Sequence, residues 1–140
     1  MAASRDVDYV LDASALAKLF LEEPESERFR EWYVTEVHRG ATFGAPGLVA
    51  YEVAHLLGKK VTPPDGEDAA SWLAQRHDDV LDGIELDHRA PREVFAWMER
   101  LSGYDASYLA AAYAAAATLV SYDAALRKAA ARAGVATVAP

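Results

Sequence analysis

The sequence predicts an α/β fold: a mostly parallel sheet with helices on both faces. Three observations point to it. Short apolar runs of strand length alternate with longer segments of helical period, the pattern of a parallel sheet built by crossovers. Two of the runs, Tyr9-Val10-Leu11 and Thr118-Leu119-Val120-Ser121-Tyr122, are followed at once by an aspartate, Asp12 and Asp123. In an open α/β sheet the ligand crevice lies at such carboxyl ends. Finally, 140 residues at 52% hydrophobic content suffice for one core, so residues 1–140 are read as a single domain.

The elements follow in order. Tyr9-Val10-Leu11 is a buried first strand, and residues 13–21 are a helix. Pro24 suits the first turn of a second helix over residues 25–38, which Gly40 ends. A second strand is expected at residues 41–43, with Ala45-Pro46-Gly47 as a turn. Residues 48–60 carry helical periodicity, and Thr62-Pro63-Pro64-Asp65-Gly66 is the clearest break in the chain. Helix four spans residues 67–81, a strand residues 83–86, and helix five residues 91–101. Ser102-Gly103-Tyr104 reads as a loop, after which Asp105 opens an alanine-rich helix to residue 117, alanine being the strongest helix former. A strand over residues 118–122, a helix over residues 123–133 and a strand over residues 135–138 complete the pattern.

Composition narrows the function. There is no cysteine, which removes disulfides, thiolate metal sites and cysteine nucleophiles, and fits an intracellular, cytoplasmic protein. The start of the chain has no apolar stretch of signal type. The longest apolar stretch, residues 108–120, falls well short of the roughly 20 residues of a membrane crossing. A net charge of −8 argues against a nucleic-acid partner, unless some acids hold divalent cations that cancel the charge locally.

Four acids stand where folding alone does not call for them. Asp12 and Asp123 close strands, and each also suits the cap of the helix that follows. Asp105 lies over the stripe of Tyr108, Leu109 and Ala112, where a cap is again the alternative. Glu52 falls among Leu48, Val49, Val53, Leu56 and Leu57, on the apolar face of its helix. No cap explains it, and its structural alternative is a buried salt bridge to Lys18 or an arginine. Two carboxylates about 4 Å apart repel by roughly 4 kcal/mol at an effective dielectric near 20. Four together therefore call for protonation or a cation. Oxygen donors without His or Cys select a hard ion, Mg²⁺ or Mn²⁺, and the chemistry this favours is phosphodiester hydrolysis.

Leu11-Asp12-Ala13-Ser14-Ala15, Tyr51-Glu52-Val53-Ala54, Tyr104-Asp105-Ala106-Ser107-Tyr108-Leu109-Ala110 and Leu119-Val120-Ser121-Tyr122-Asp123 together resemble a PIN domain. More narrowly, they resemble the VapC toxin ribonucleases of toxin–antitoxin pairs. The resemblance runs along nearly the whole chain. It implies a three-layer α/β/α sandwich with a central parallel sheet and Mg²⁺- or Mn²⁺-dependent endoribonuclease activity that leaves a 5′-phosphate and a 3′-hydroxyl. It implies Asp12, Glu52 and Asp105 as metal ligands, Asp123 as the fourth acid acting through water, and Ser14 and Ser121 as supporting hydroxyls. It also implies an RNA substrate, a small antitoxin partner and a homodimer. An antitoxin with a basic arm would suit the acidic site. Tyr122, beside Asp123, is a departure whose ring would narrow the site.

Other signals carry less. Glu52-x-x-His55 and Glu85-x-x-His88 have di-iron spacing, but the second pair sits at a strand end where i and i+3 share no face. His77-Asp78-Asp79 reads as a solvated helix face, and Trp32, Trp72 and Trp97 as core or subunit contacts. Lys18, Lys59, Lys60, Arg127 and Lys128 lie within reach of the acids along their helices and are the expected phosphate contacts, with an ordinary surface role as the alternative. A catalytically silent PIN-like module that binds RNA or protein is the competing function. A phospho-receiver ranks below it, because Asp12-Ala13-Ser14 lacks the second acid such sites use.

Overall fold

Tyr9, Val10 and Leu11 form the middle strand of the sheet, with β2 on one side and β4 on the other, as an apolar run buried on two faces should. A computed structural model describes residues 7–140; the expectation about the start of the chain concerns residues 1–6 and lies outside them. Among the described residues the chain runs β1 (Tyr9–Leu11), α1 (Ala13–Leu16) with a 3₁₀ turn over Ala17–Leu19, α2 (Ser26–His38), β2 (Phe43–Pro46), α3 (Val49–Lys60) and α4 (Ala69–Leu81). It continues through β3 (Ile84–Asp87), α5 (Val94–Trp97), α6 (Gly103–Ala115), β4 (Thr118–Val120), α7 (Ala124–Arg132) and β5 (Thr137–Val138). Among the described residues no helix is long and apolar enough to cross a membrane.

All five strands are parallel, in the order β3-β2-β1-β4-β5. The chain lays down β1, β2 and β3 in one direction, then returns to place β4 and β5 on the other side of β1. The switch point lies between β1 and β4, where Tyr9, Val10 and Leu11 pair with Thr118, Leu119 and Val120. Right-handed crossovers then put α1 to α4 over one face and α5 to α7 over the other. The packing agrees: α3 lies on α1 and α4, and α6 lies on α5 and α7. The core between these layers is fully buried at Leu11, Leu16, Val49, Val53, Leu109, Leu119 and Leu126. Under α2 the same core continues as aromatic rings, Phe29 stacked on Tyr33 and Trp32 edge-on to Tyr9 and Phe43, so Trp32 packs against the core.

Several boundaries differ from the sequence reading. The second strand is residues 43–46, not 41–43, and the expected turn at Ala45-Pro46-Gly47 is largely strand. Gly44 and Pro46 are poor strand formers, but the position is interior: a Cβ on Gly44 would stand 3.2 Å from Val7 and 3.3 Å from the Glu85 carbonyl. Tertiary space, not propensity, decides there. Helix five shrinks to Val94–Trp97, with no side-chain cap at its start. Helix six starts at Gly103, because the Ser102 hydroxyl accepts from the Asp105 amide and caps it. Asp105 thus lies inside the first turn and does not open the helix. His77 is no solvated face either. Its Nε2 lies 2.6 Å from the Ala50 carbonyl, so that nitrogen carries the proton and ties α4 to α3.

Helix six ends on Ala116, the one non-glycine residue with positive φ (+52°) among the described residues. The left-handed region costs an L-residue about 1–2 kcal/mol, part of which glycine returns as unfolded-state entropy. Ala116→Gly is expected to stabilise the protein by about 0.5–1 kcal/mol, read as a rise of a few degrees in the thermal midpoint. An unchanged or lowered midpoint would show that the cap carries no strain.

Candidate active site at the carboxyl edge of the sheet

Topology brings the four acids to one edge. Asp12 leaves the end of β1, and Asp123 follows β4 by three residues. α3 starts where β2 ends, so Glu52 in its first turn stands at the same edge. α6 runs back towards the start of β4, so its first turn, with Asp105, also lies there. The crevice is at the switch point, where an open α/β sheet places its ligands.

Asp12 is the buried centre, only 4% exposed. Its Oδ1 accepts from the Ala15 amide at 3.0 Å and from the Ser14 hydroxyl at 2.6 Å, and its Oδ2 accepts from the Ser121 hydroxyl. Each serine also accepts from an amide of the loop after β4. Ser14 Oγ accepts from the Tyr122 amide, and Ser121 Oγ from the Asp123 amide, both at 3.0 Å. Two hydroxyls therefore lock the ends of β1 and β4 together around one carboxylate. Burial raises the Asp12 carboxyl above the usual range, although the two serines and the Ala15 amide pull it down; Asp123 adds to the rise.

Asp123 caps α7 with one oxygen, Oδ1 accepting from the Ala125 and Leu126 amides at 2.9 and 3.1 Å. The cap reading is thus correct for both Asp12 and Asp123. Among the described residues it leaves Oδ2 of Asp123 with no hydrogen bond and no ion pair. Asp105 accepts no hydrogen bond among the described residues. Burial, then the charge of Asp123, raises its carboxyl. Glu52 is half-buried and raised by burial first and then by the charges of Asp12 and Asp105, against a hydrogen bond that lowers it.

That hydrogen bond comes from Tyr108, whose hydroxyl donates to Glu52 Oε1. The ring is 2% exposed, and burial together with Glu52 raises its own pKa strongly. The partner of Glu52 is therefore a phenol reaching over the sheet edge from α6, and not Lys18 or an arginine. Sequence reasoning placed Tyr108 in the apolar stripe and missed it. The signal was available: a tyrosine among buried alanines needs a partner for its hydroxyl. Tyr108→Phe is expected to cost about 1 kcal/mol, since half-exposed Glu52 can turn to water. It should also raise the Glu52 carboxyl further, read by carboxylate NMR titration; an unmoved titration would show that the bond does not hold Glu52.

None of the four acids forms an ion pair among the described residues. Lys18, expected as a phosphate contact, is corrected here. It is 6% exposed, with its ammonium 2.9 Å from Glu23, 3.0 Å from Glu25 and 4.6 Å from the Tyr122 ring centre. Burial alone would lower its pKa, but the two glutamates outweigh that and leave it raised. Tyr122 is also turned from the site. Its ring meets Phe29 and its hydroxyl donates to the Pro140 carbonyl, so it does not narrow the crevice. Arg127 donates to the Ser121 carbonyl at 3.0 Å and braces the loop after β4. Lys59, Lys60 and Lys128 are exposed.

The donor set suits a hard divalent cation: oxygen only, one edge, mutually felt charges and no protein counter-ion. The four oxygens are not, however, gathered as a finished cage. Among the described residues no group of three His, Asp or Glu side chains stands close enough to hold an ion. Like charges left uncompensated hold apart. A separate cavity of about 300 Å³, between β2, β3 and the end of α6, is lined by none of the four acids.

Comparison with known proteins agrees with this fold. PAE2754 from Pyrobaculum aerophilum superposes with a TM-score of 0.64 at 26% identity, covering 94% of this chain and 91% of that one. FitAcB from Neisseria gonorrhoeae superposes with a TM-score of 0.69 at 14% identity, covering 94% and 97%, a likeness of fold. No curated protein matches the sequence. The PIN domain family matches residues 9–132, which contain all four acids and both serines. PIN domains are typically nucleases and usually use divalent metal ions. On that match, and with its acids at the expected edge of a parallel five-stranded sheet, this chain belongs to the PIN domain family.

Proposed function

We propose that this protein is a metal-dependent endoribonuclease, the toxin of a toxin–antitoxin pair. The observation that carries the reading is the set of four carboxylates at the switch point with no cation among the described residues paired to them. Asp12, Glu52 and Asp105 would hold Mg²⁺ or Mn²⁺, and Asp123 would act through water with its spare Oδ2. A divalent ion there supplies Lewis acidity for hydrolysis of a phosphodiester.

The chain's own residues do the positioning. Ser14 and Ser121 fix the plane of the Asp12 carboxylate. Tyr108 engages Oε1 of Glu52 and leaves Oε2 to the crevice. The cap engages Oδ1 of Asp123 and aims its other oxygen outward. Ser14 and Ser121 are read as positioning groups and not as nucleophiles: both donate to Asp12, and as a metal ligand that carboxylate would not serve either of them as a base. Lys59, Lys128 and the free part of the Arg127 guanidinium are the proposed phosphate contacts.

The partner reading rests on the resemblance and on charge. A small antitoxin with a basic arm would find its complement in the acidic edge. The exposed Phe95 (76%) and Met98 (46%) offer apolar surface for a second copy. The deciding assay is RNA cleavage with Mg²⁺ or Mn²⁺, run beside Asp12→Asn and Asp105→Asn. Equal product from wild type and both variants would remove the enzyme and leave a PIN-like binding module.

A further inference from the structure

Two rings at the acid edge have no structural task. Tyr51 is 80% exposed and Tyr104 67% exposed, the first and third most exposed of the large hydrophobic side chains among the described residues. Neither hydroxyl has a hydrogen-bond partner there, and neither ring stacks on another aromatic. Each directly precedes an acid of the site, Tyr51 before Glu52 in the first turn of α3 and Tyr104 before Asp105 in the first turn of α6. Glu52 also feels the charge of Asp105. The two rings therefore stand on two different helices, both at the carboxyl edge, beside acids that sense each other.

A second fact bears on the same place. The chain carries a net charge of −8, and Lys18, the lysine closest in sequence to Asp12, is locked to Glu23 and Glu25. Arg127 spends part of its guanidinium on the Ser121 carbonyl. Charge contact with a phosphate backbone therefore falls to Lys59, Lys128 and the rest of the Arg127 guanidinium, which leaves a share of the affinity to come from elsewhere. Exposed aromatic rings supply it, because every unpaired base has a face on which to stack.

We propose that Tyr51 and Tyr104 are base-stacking platforms for nucleotides flanking the scissile phosphate. The proposal rests on the nuclease reading above. It makes the substrate a strand whose bases are splayed at the cut, since a base inside a duplex has its faces already covered. It also makes binding less dependent on salt than a phosphate-led contact would be.

The test measures binding and cleavage separately. A fluorescein-labelled single-stranded RNA 12-mer is titrated by anisotropy without divalent metal, and its cleavage is followed with Mn²⁺, alone and annealed to its complement. Tyr51→Ala and Tyr104→Ala should each weaken binding and raise KM about tenfold, with kcat little changed, and Tyr51→Phe and Tyr104→Phe should restore what alanine loses. At such exposure the variants should unfold at the wild-type temperature. Wild-type cleavage with unchanged KM in both alanine variants overturns the platforms, leaves the nuclease intact, and assigns the rings to a protein partner. Binding that falls in the variants while the wild type cuts nothing supports the platforms and removes the nuclease. A wild type that neither binds nor cuts overturns both.

Discussion

Asp12→Asn is expected to lower metal-dependent RNA cleavage by about 10³-fold or more, with the protein still folded. Asp12 is the least exposed of the four acids and the one that both β1 and β4 organise around. Asparagine keeps an oxygen for the Ala15 amide and the Ser14 hydroxyl, so the cap survives. Its amide nitrogen would face Ser121, whose oxygen can accept by rotating. What is lost is the negative charge, and with it the ligand proposed for the hard cation. Charge stabilisation by a bound metal is worth several kcal/mol in the transition state, and each 1.36 kcal/mol is a factor of ten. The measurement is product formation per enzyme with Mn²⁺, beside a thermal unfolding curve. A variant that unfolds normally and cuts within threefold of wild type would mean that the chemistry lies elsewhere.

The sequence was most legible where burial and chemistry agree. Leu11 is apolar and buried and Asp12 follows it at once, so that strand end and its aspartate could be read directly; β4 ends at Val120, two residues short of the expected Tyr122, and Asp123 stands on the loop beyond it. Glu52 stood out because nothing in its helix explained it. Legibility failed where tertiary space overrides local preference. Ala45-Pro46-Gly47 reads as a turn, but Ala45 and Pro46 belong to an interior strand in which Gly44 sits where a Cβ would press on Val7 and the Glu85 carbonyl. It failed again where one side chain answers another across the chain. Lys18 is one turn from Ser14, yet Glu23 and Glu25, a few residues on, claim its charge. Tyr108 reads as one more apolar residue until the fold sets it against Glu52, 56 residues away in sequence. Helix periodicity records which face is buried, but not which buried polar atom meets which.

Saturating Mn²⁺ is expected to raise the thermal midpoint by about 5–10 °C near pH 7.5 and much less near pH 4.5. The Asp12, Glu52 and Asp105 carboxyls are each raised, burial being the first cause in every case. The unfolded chain has ordinary carboxyls, so between the ordinary and raised values the folded protein holds more protons than the unfolded one. Stability then falls as pH climbs through that interval, and the full cost is present at neutral pH. A cation that favours the ionised oxygens relieves this cost where they are ionised, and competes with protons where they are not. At a hundred times its dissociation constant a ligand adds about 2.7 kcal/mol, which for a chain of this size is the stated shift. Asp105→Asn should sharply reduce the Mn²⁺ response and leave the metal-free midpoint no lower than wild type, because Asp105 bonds to nothing that asparagine would lose. Glu25 pulls the metal-free profile the other way: Lys18 lowers its carboxyl, so its contribution is present above the ordinary range and fades as pH falls. The difference between curves with and without Mn²⁺ cancels that opposing slope and isolates Asp12, Glu52 and Asp105. Equal shifts at both pH values, or an undiminished response in Asp105→Asn, would place the bound ion away from this edge.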